Sequence, residues 1–249
     1  LQDIQEVKAF GITPVSVMNP SSERMNTLRT TLHRGLLENL DFNFKNGSSN
    51  TLIYEHGTVF EKKGDTLKDI DQVSNFSCLV HGNFYDKGVH FDGVENNFFL
   101  LKGIATNAFQ TLTKAKVKFV EDKSSYCDVF YRIVDNKKNT VGSIGSIADS
   151  FLDKLDIAHK TDVCVMDINT TFFTEHFNHS VKVKDIILYP VVTRDLNFKL
   201  DSGANLGEVC SAMKSVNQSI LQDVWPIDIY QSKEEKSKKN VLFKLSFQN

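Results

Sequence analysis

The chain has 249 residues, a formal net charge of −2, 41% hydrophobic and 24% charged side chains; this is a globular composition with room for one large domain or two smaller ones, not a disordered or fibrous one. No apolar run approaches the length of a transmembrane helix, so no membrane-spanning role is expected. Residues 184–249 carry nine basic and eight acidic side chains, a net +1 against −3 for the remainder; with so little charge no global field draws in a polyanion, and any nucleic-acid contact has to be local and geometric. The four cysteines, Cys78, Cys127, Cys164 and Cys210, lack metal or redox spacing and read as reduced thiols of a cytoplasmic protein. The first residue is Leu1 rather than Met and no signal peptide follows, so a fragment of a longer chain is expected.

Residues 1–11 read as a helix or linker end and residues 15–18 as a short strand. The Asn19-Pro20-Ser21-Ser22 turn leads into residues 24–44, where Leu36, Leu37 and Leu40 give the apolar edge of one helix, ended by Asn46-Gly47-Ser48-Ser49. Residues 52–61 alternate as a strand, residues 62–68 form a polar hairpin loop and residues 77–82 the returning strand. Residues 98–103, FFLLKG, read as a strand entering a helix at 104–112; residues 117–120 and 129–134 are further strands. Residues 163–173 read as a strand and turn. A polar strip near residues 181–185 separates a first domain, 1–183, from a second, 184–249.

The second domain is the more regular. In residues 189–200, YPVVTRDLNFKL, Leu196, Phe198 and Leu200 alternate with Asp195, Asn197 and Lys199, the period of a strand with one face buried. Asn205 is placed to cap a helix carrying Glu208 three positions on, along which Leu206, Val209, Cys210, Met213 and Ile220 recur at helical spacing. Residues 224–230, VWPIDIY, and 241–247, VLFKLSF, are two more strands. The order β-α-β-β is most of a ferredoxin-like unit, which needs a further helix and strand to be complete.

These motifs carry a resemblance. Pro190, Arg194, Asp195, Leu196, Asp228, Tyr230, Lys239, Phe247 and Gln248 resemble, in order, the P-x-x-x-RDL, FDxY, lysine hairpin and terminal F-Q pattern of the ferredoxin-fold anticodon-binding domain of phenylalanyl-tRNA synthetase β subunits, with Ile227 in place of the usual Phe. Upstream, Asn19, Pro20, Ser22, Glu23, Leu28, Arg29, Leu32, Gly35, Leu36 and Leu37 resemble the segment that opens the same subunit's class II-like core, and residues 52–60, 98–103, 140–155 and 163–173 are similar to later stretches of it. The resemblance implies an α+β chain: a class II synthetase-like, non-catalytic antiparallel sheet with flanking helices, then an incomplete ferredoxin-like domain. It further implies an (αβ)2 heterotetramer that joins phenylalanine to tRNA(Phe) with ATP and Mg2+, catalysis lying in the α subunit, with this chain supporting α and docking tRNA and holding no cofactor itself.

The residues agree that adenylate chemistry is missing here. Such chemistry neutralises phosphate charge with arginines on a strand and at a helix start. Of the five arginines (Arg24, Arg29, Arg34, Arg132, Arg194), none lies between Gly35 and Tyr131, and residues 146–202 hold one arginine and no glycine. A single-chain synthetase, or an interaction module without an RNA role, is the alternative. No catalytic residue is assigned. Other candidates have plainer readings: His176 and His179 as a metal pair without further ligands, Gly142 to Ser146 as a tight strand turn rather than a phosphate cradle, Asp69 and Asp71 as solvated carboxylates, residues 233–239 as a solvated hairpin loop. For tRNA, with helices covering the Leu196/Phe198/Leu200 face, the open face shows Asn197, Lys199, Asp228, Tyr230, Leu242, Lys244 and Ser246; Tyr230 is placed to stack an unpaired base while Lys199 and Lys244 meet phosphate, with Lys238 and Lys239 as further phosphate contacts. The same face could instead pack on a neighbouring domain. Arg194 and Asp195 read as domain framework, the carboxylate orienting the guanidinium, and the apolar helix within residues 29–44 is the expected α-contacting surface.

Overall fold

The computed structural model describes residues 8, 10–22, 25–64, 66–159, 162–178, 189–217, 219–232 and 235–248. Most of residues 1–11, Glu23, Arg24, His179, Lys233 and the expected domain boundary at 181–185 lie outside the described residues. The chain divides into two compact units, Leu1–Ser180 and Val181–Asn249.

In the first unit, β1 (Val15–Ser16) pairs with β2 (Thr27–Leu28) ahead of helix α1 (His33–Lys45). A long hairpin follows, β3 (Thr51–Lys62) and β4 (Ile70–His81). After the small pair β5 (Asn83–Tyr85) and β6 (Val94–Glu95) come α2 (Phe98–Leu112), β7 (Lys118–Glu121), β8 (Cys127–Val134), β9 (Thr140–Ile147), α3 (Asp149–Lys154), β10 (Cys164–Asn169) and α4 (Thr170–His176). Six strands form one antiparallel sheet in the order β3-β4-β10-β9-β8-β7. Alternation along its central strands feeds two cores. Leu79 and Val165 pack with Leu36, Leu37 and Leu40 of α1 and Phe151 and Leu152 of α3. Cys78, Val80, Cys164, Met166 and Ile168 pack with Leu101, Ala105 and Phe109 of α2 and Phe172 of α4.

Three expectations change here. The helix expected over 24–44 begins at His33, because Thr27 and Leu28 are taken by the pair with β1 and the Arg29 side chain is anchored to Glu55 and to the Thr58 carbonyl on β3. Residues 98–103 are helical, not a strand, because the Asn97 side chain accepts from Leu100 N and caps α2 at Phe98. Gly142 and Gly145 lie inside β9 rather than in a turn. A Cβ at Gly142 would sit 2.4 Å from the Asp167 carbonyl oxygen of β10, and one at Gly145 2.8 Å from that of Val129 of β8, so both glycines serve close strand approach.

In the second unit, β11 (Val192–Asp201), helix α5 (Leu206–Val216), β12 (Leu221–Tyr230) and β13 (Lys238–Phe247) build an antiparallel sheet in the order β11-β13-β12. Asn205 caps α5, accepting from Gly207 N at 2.9 Å and Glu208 N at 3.3 Å. The helix lays Leu206, Val209, Cys210 and Met213 on Leu221, Val224, Val241, Phe243 and Leu245. It does not cover the whole face: Leu196 and Phe198 of β11 remain 44% and 38% exposed, so among the described residues the expected helical cover reaches Leu200 only.

Candidate nucleic-acid interface

Strand register fixes which side chains share the face of the second sheet away from α5. Residues directly opposite one another in an antiparallel pair project to the same side. Asp195, Asn197 and Lys199 stand across from Lys244, Leu242 and Asn240; on the other flank of β13, Trp225, Asp228 and Tyr230 stand across from Lys244, Leu242 and Asn240. The expected open-face set, Ser246 included, is therefore brought together, and Lys238 joins it. Tyr230 is 63% exposed. Lys199 lies across Asn240 from Tyr230 and Lys244 lies directly opposite Trp225.

The lysines differ in freedom. Lys199 Nζ is 2.6 Å from Glu235 Oε2, and Lys238 Nζ 2.6 Å from Asp201 Oδ1; hydrogen bonding and charge from Lys238 hold the Asp201 carboxyl below its ordinary value. Lys244 has no ion-pair partner among the described residues. Lys239 departs from the expected set: its neighbour across the pair is Leu200, on the helix side, and its ammonium donates to the Ala204 carbonyl at 2.9 Å, where it tethers the turn before α5. The expected framework pair is also not formed. Arg194 and Asp195 are successive strand residues, so they point to opposite faces; the guanidinium donates to the Thr193 carbonyl at 2.9 Å and Asp195 stands across from Lys244.

Trp225 is the residue that period-two reasoning misplaces. Counting back from Tyr230 and Asp228 puts it among the buried positions. A β-bulge between Pro226 and Asp228 shifts the register and turns Trp225 outward, 38% exposed. The bulge and the proline are tolerated because β12 is an edge strand. The proline is the one signal in the sequence that pointed to an irregularity here.

In the first unit, a polar row crosses the α1 face of the sheet: Glu55, Ser77, Asp167, Ser143 and Arg132 are successive partners. A concavity of about 340 Å³ lies over it, lined in part by Asn75, Phe130, Arg132, Ser143, Asp167 and Asn169. The groups are committed to one another. Ser77 Oγ donates to Asp167 Oδ1, His33 Nε2 lies 3.0 Å from Asp167 Oδ2, and His33 Nδ1 is 3.1 Å from the Tyr126 hydroxyl. Burial would raise the Asp167 pKa, but the charge and hydrogen bonds of His33 and Ser77 outweigh it and the carboxyl sits below its ordinary value. With the carboxylate between serine and histidine, the imidazole cannot take the serine proton, so this is not a nucleophile–base arrangement. The arginines of this unit are paired: Arg29 with Glu55 at 2.6 Å, Arg132 with Asp122 at 2.6 Å and Arg34 with Glu38 at 3.1 Å. Among the described residues no three His, Cys, Asp or Glu side chains are grouped to hold a metal, and His176 instead stacks on Phe172. The Leu36, Leu37 and Leu40 edge of α1 is spent on its own core, with Phe42 left 67% exposed. No helix among the described residues is long and apolar enough to cross a membrane.

Against known proteins, residues 3–170 match the family model described as the phenylalanyl tRNA synthetase beta chain CLM domain, and residues 188–249 that of the ferredoxin-fold anticodon binding domain. Among curated relatives, the phenylalanine–tRNA ligase beta subunit of Lactococcus lactis is 26% identical across 94% of this chain and 29% of its own length. Those of Shouchella clausii and Thermotoga maritima are each 24% identical, across 96% and 93% of this chain and 30% and 29% of their own lengths. The chain thus spans about three-tenths of the length of the relatives it matches.

Proposed function

The chain belongs to the phenylalanyl-tRNA synthetase beta chain family, and from that premise we propose that it works as part of a phenylalanine–tRNA ligase β subunit, supporting an α subunit through its first unit and docking tRNA(Phe) through its second. In this reading the assembly is an (αβ)2 heterotetramer in the cytoplasm, and phenylalanylation with ATP and Mg2+ takes place in α. The closed arginine pairs of the first unit support a structural role for this chain, and no step of the reaction is assigned to its residues. The observation that carries the tRNA half is the open sheet face of the second unit, where Tyr230 stands in one row with Lys199. An aromatic ring stacks any unpaired base, and lysines beside it meet phosphate.

Two measurements test it. The chain alone, given phenylalanine and ATP, gives no ATP–pyrophosphate exchange above background; robust exchange would make it an independently acting synthetase. Filter binding shows tRNA(Phe) retained at low salt and released at high salt. No salt-sensitive retention at up to about 100 μM chain, the weak end of non-specific nucleic-acid binding, would overturn the docking role.

A further inference from the structure

Trp225 is the single tryptophan of the chain, and its position is made by an irregularity. Regular alternation from Tyr230 would turn it to the helix side, opposite the buried Leu245, where a large apolar ring would add to the core. The strand instead uses an extra residue, Ile227, which has no partner on β13 and is 43% exposed, and so turns the indole outward. Folding gains little from this. An outward indole beside an uncommitted ammonium is, however, what a single-stranded nucleic acid recognises: a flat ring for a base, a cation for the adjoining phosphate. Lys244 supplies that cation directly opposite.

Trp225 and Tyr230 face Lys244 and Asn240, four residues apart on β13, which separates the rings by about 13 Å along the strand. Bases in one strand of a duplex rise about 3.4 Å per step, so two bases on these rings cannot belong to a continuous stack; they have to be splayed, unpaired bases of a loop. Of the side chains between and around them, Asn197, Asp195, Asp228 and Ser246 are polar and Leu242 is apolar; carboxylates beside a single leucine disfavour the dry apolar centre of a protein–protein contact on the same face. We infer that Trp225 is a second base-stacking platform, taking an unpaired base of the same RNA loop that stacks another base on Tyr230. This rests on the tRNA-docking reading above, and the bulge at Ile227 is the device that adds the second platform.

Because no other tryptophan is present, the emission of the unsubstituted chain reports on this ring alone. Titration with tRNA(Phe) at low salt is expected to quench it saturably, with the same midpoint as filter binding, and heparin at equal charge is expected to leave it unchanged. Trp225→Ala weakens tRNA binding about tenfold, within the range for loss of one stacked base, whereas Trp225→Phe, which keeps a ring, stays within about threefold of the parent. If tRNA is retained on the filter but emission does not change, the inference falls while the docking reading stands on its salt-sensitive retention. If heparin quenches as tRNA does, the response is electrostatic and the inference falls as well. If tRNA is not retained at all, the docking reading fails and takes the inference with it. The quenching arm needs no substitution, so it decides the matter even where Trp225→Ala fails to fold.

Discussion

Asp167 shows how much of a polar cluster can be structural. Its carboxylate accepts from Ser77, faces His33 Nε2 at 3.0 Å and has a side chain 21% exposed. His33 Nδ1 lies 3.1 Å from the Tyr126 hydroxyl, whose own deprotonation is opposed first by burial and then by the Asp167 charge. Asp167→Ala would strand the serine hydroxyl and the imidazole, at a cost of about 2 kcal/mol in unfolding free energy; a change under about 0.5 kcal/mol in urea denaturation at pH 7 would show that the cluster is idle. Because the folded-state pKa of Asp167 lies below its unfolded value, its contribution is complete above the unfolded value of about 3.9 and is lost as pH falls through the folded one. The gap between the parent and Asp167→Asn therefore narrows in acid, below about pH 4. None of this was legible in the sequence, since Ser77, His33, Tyr126 and Asp167 meet only through the sheet and α1. Lys199, Tyr230 and Lys244 were legible, because alternation alone places them on one face; Trp225 was not, because the bulge between Pro226 and Asp228 reverses the parity of β12 back to Asp223, where a second register shift restores it.

At the scale of elements, the sequence errs where one side-chain bond overrides a pattern. Leu36, Leu37 and Leu40 do form a helix edge, but Thr27 to Thr31 are held out of it by β1 and by the reach of Arg29 to β3. The apolar residues 98–101 look like a strand until Asn97 caps them. The Asn205 cap, by contrast, is local chemistry and was readable as such. It matters more than most caps, since α5 is the helix that covers the second sheet among the described residues. Asn205→Ala should lower the stability of this unit by about 1 kcal/mol, followed in denaturant by the emission of Trp225, which lies in the same unit. A shift of the midpoint smaller than the error of measurement would mean that the helix is set by its packing alone.

For the whole molecule, the charge pattern decides how binding responds to salt. The net charge is −2 and the second unit is close to neutral, so no long-range field gathers RNA and the salt dependence counts only local contacts. Lys199 and Lys238 are held by Glu235 and Asp201, exposed pairs worth about 0–1 kcal/mol each, which a phosphate has to displace; Lys244 has no ion pair among the described residues to give up. Each phosphate met on a single strand contributes about −0.7 to the slope of log K against log salt. The three lysines together then set a slope of about −2 at most, far shallower than that of a basic nucleic-acid-binding domain. Lys244→Ala should make it shallower by about 0.7. Asp201→Asn, which releases Lys238 and removes one negative charge beside it, should tighten binding at low salt and leave it unchanged at high salt. Binding measured between about 50 and 200 mM salt checks both. A slope untouched by Lys244→Ala would place the phosphate contacts elsewhere in the chain, and the open face would then have to hold its RNA by stacking on Trp225 and Tyr230 alone.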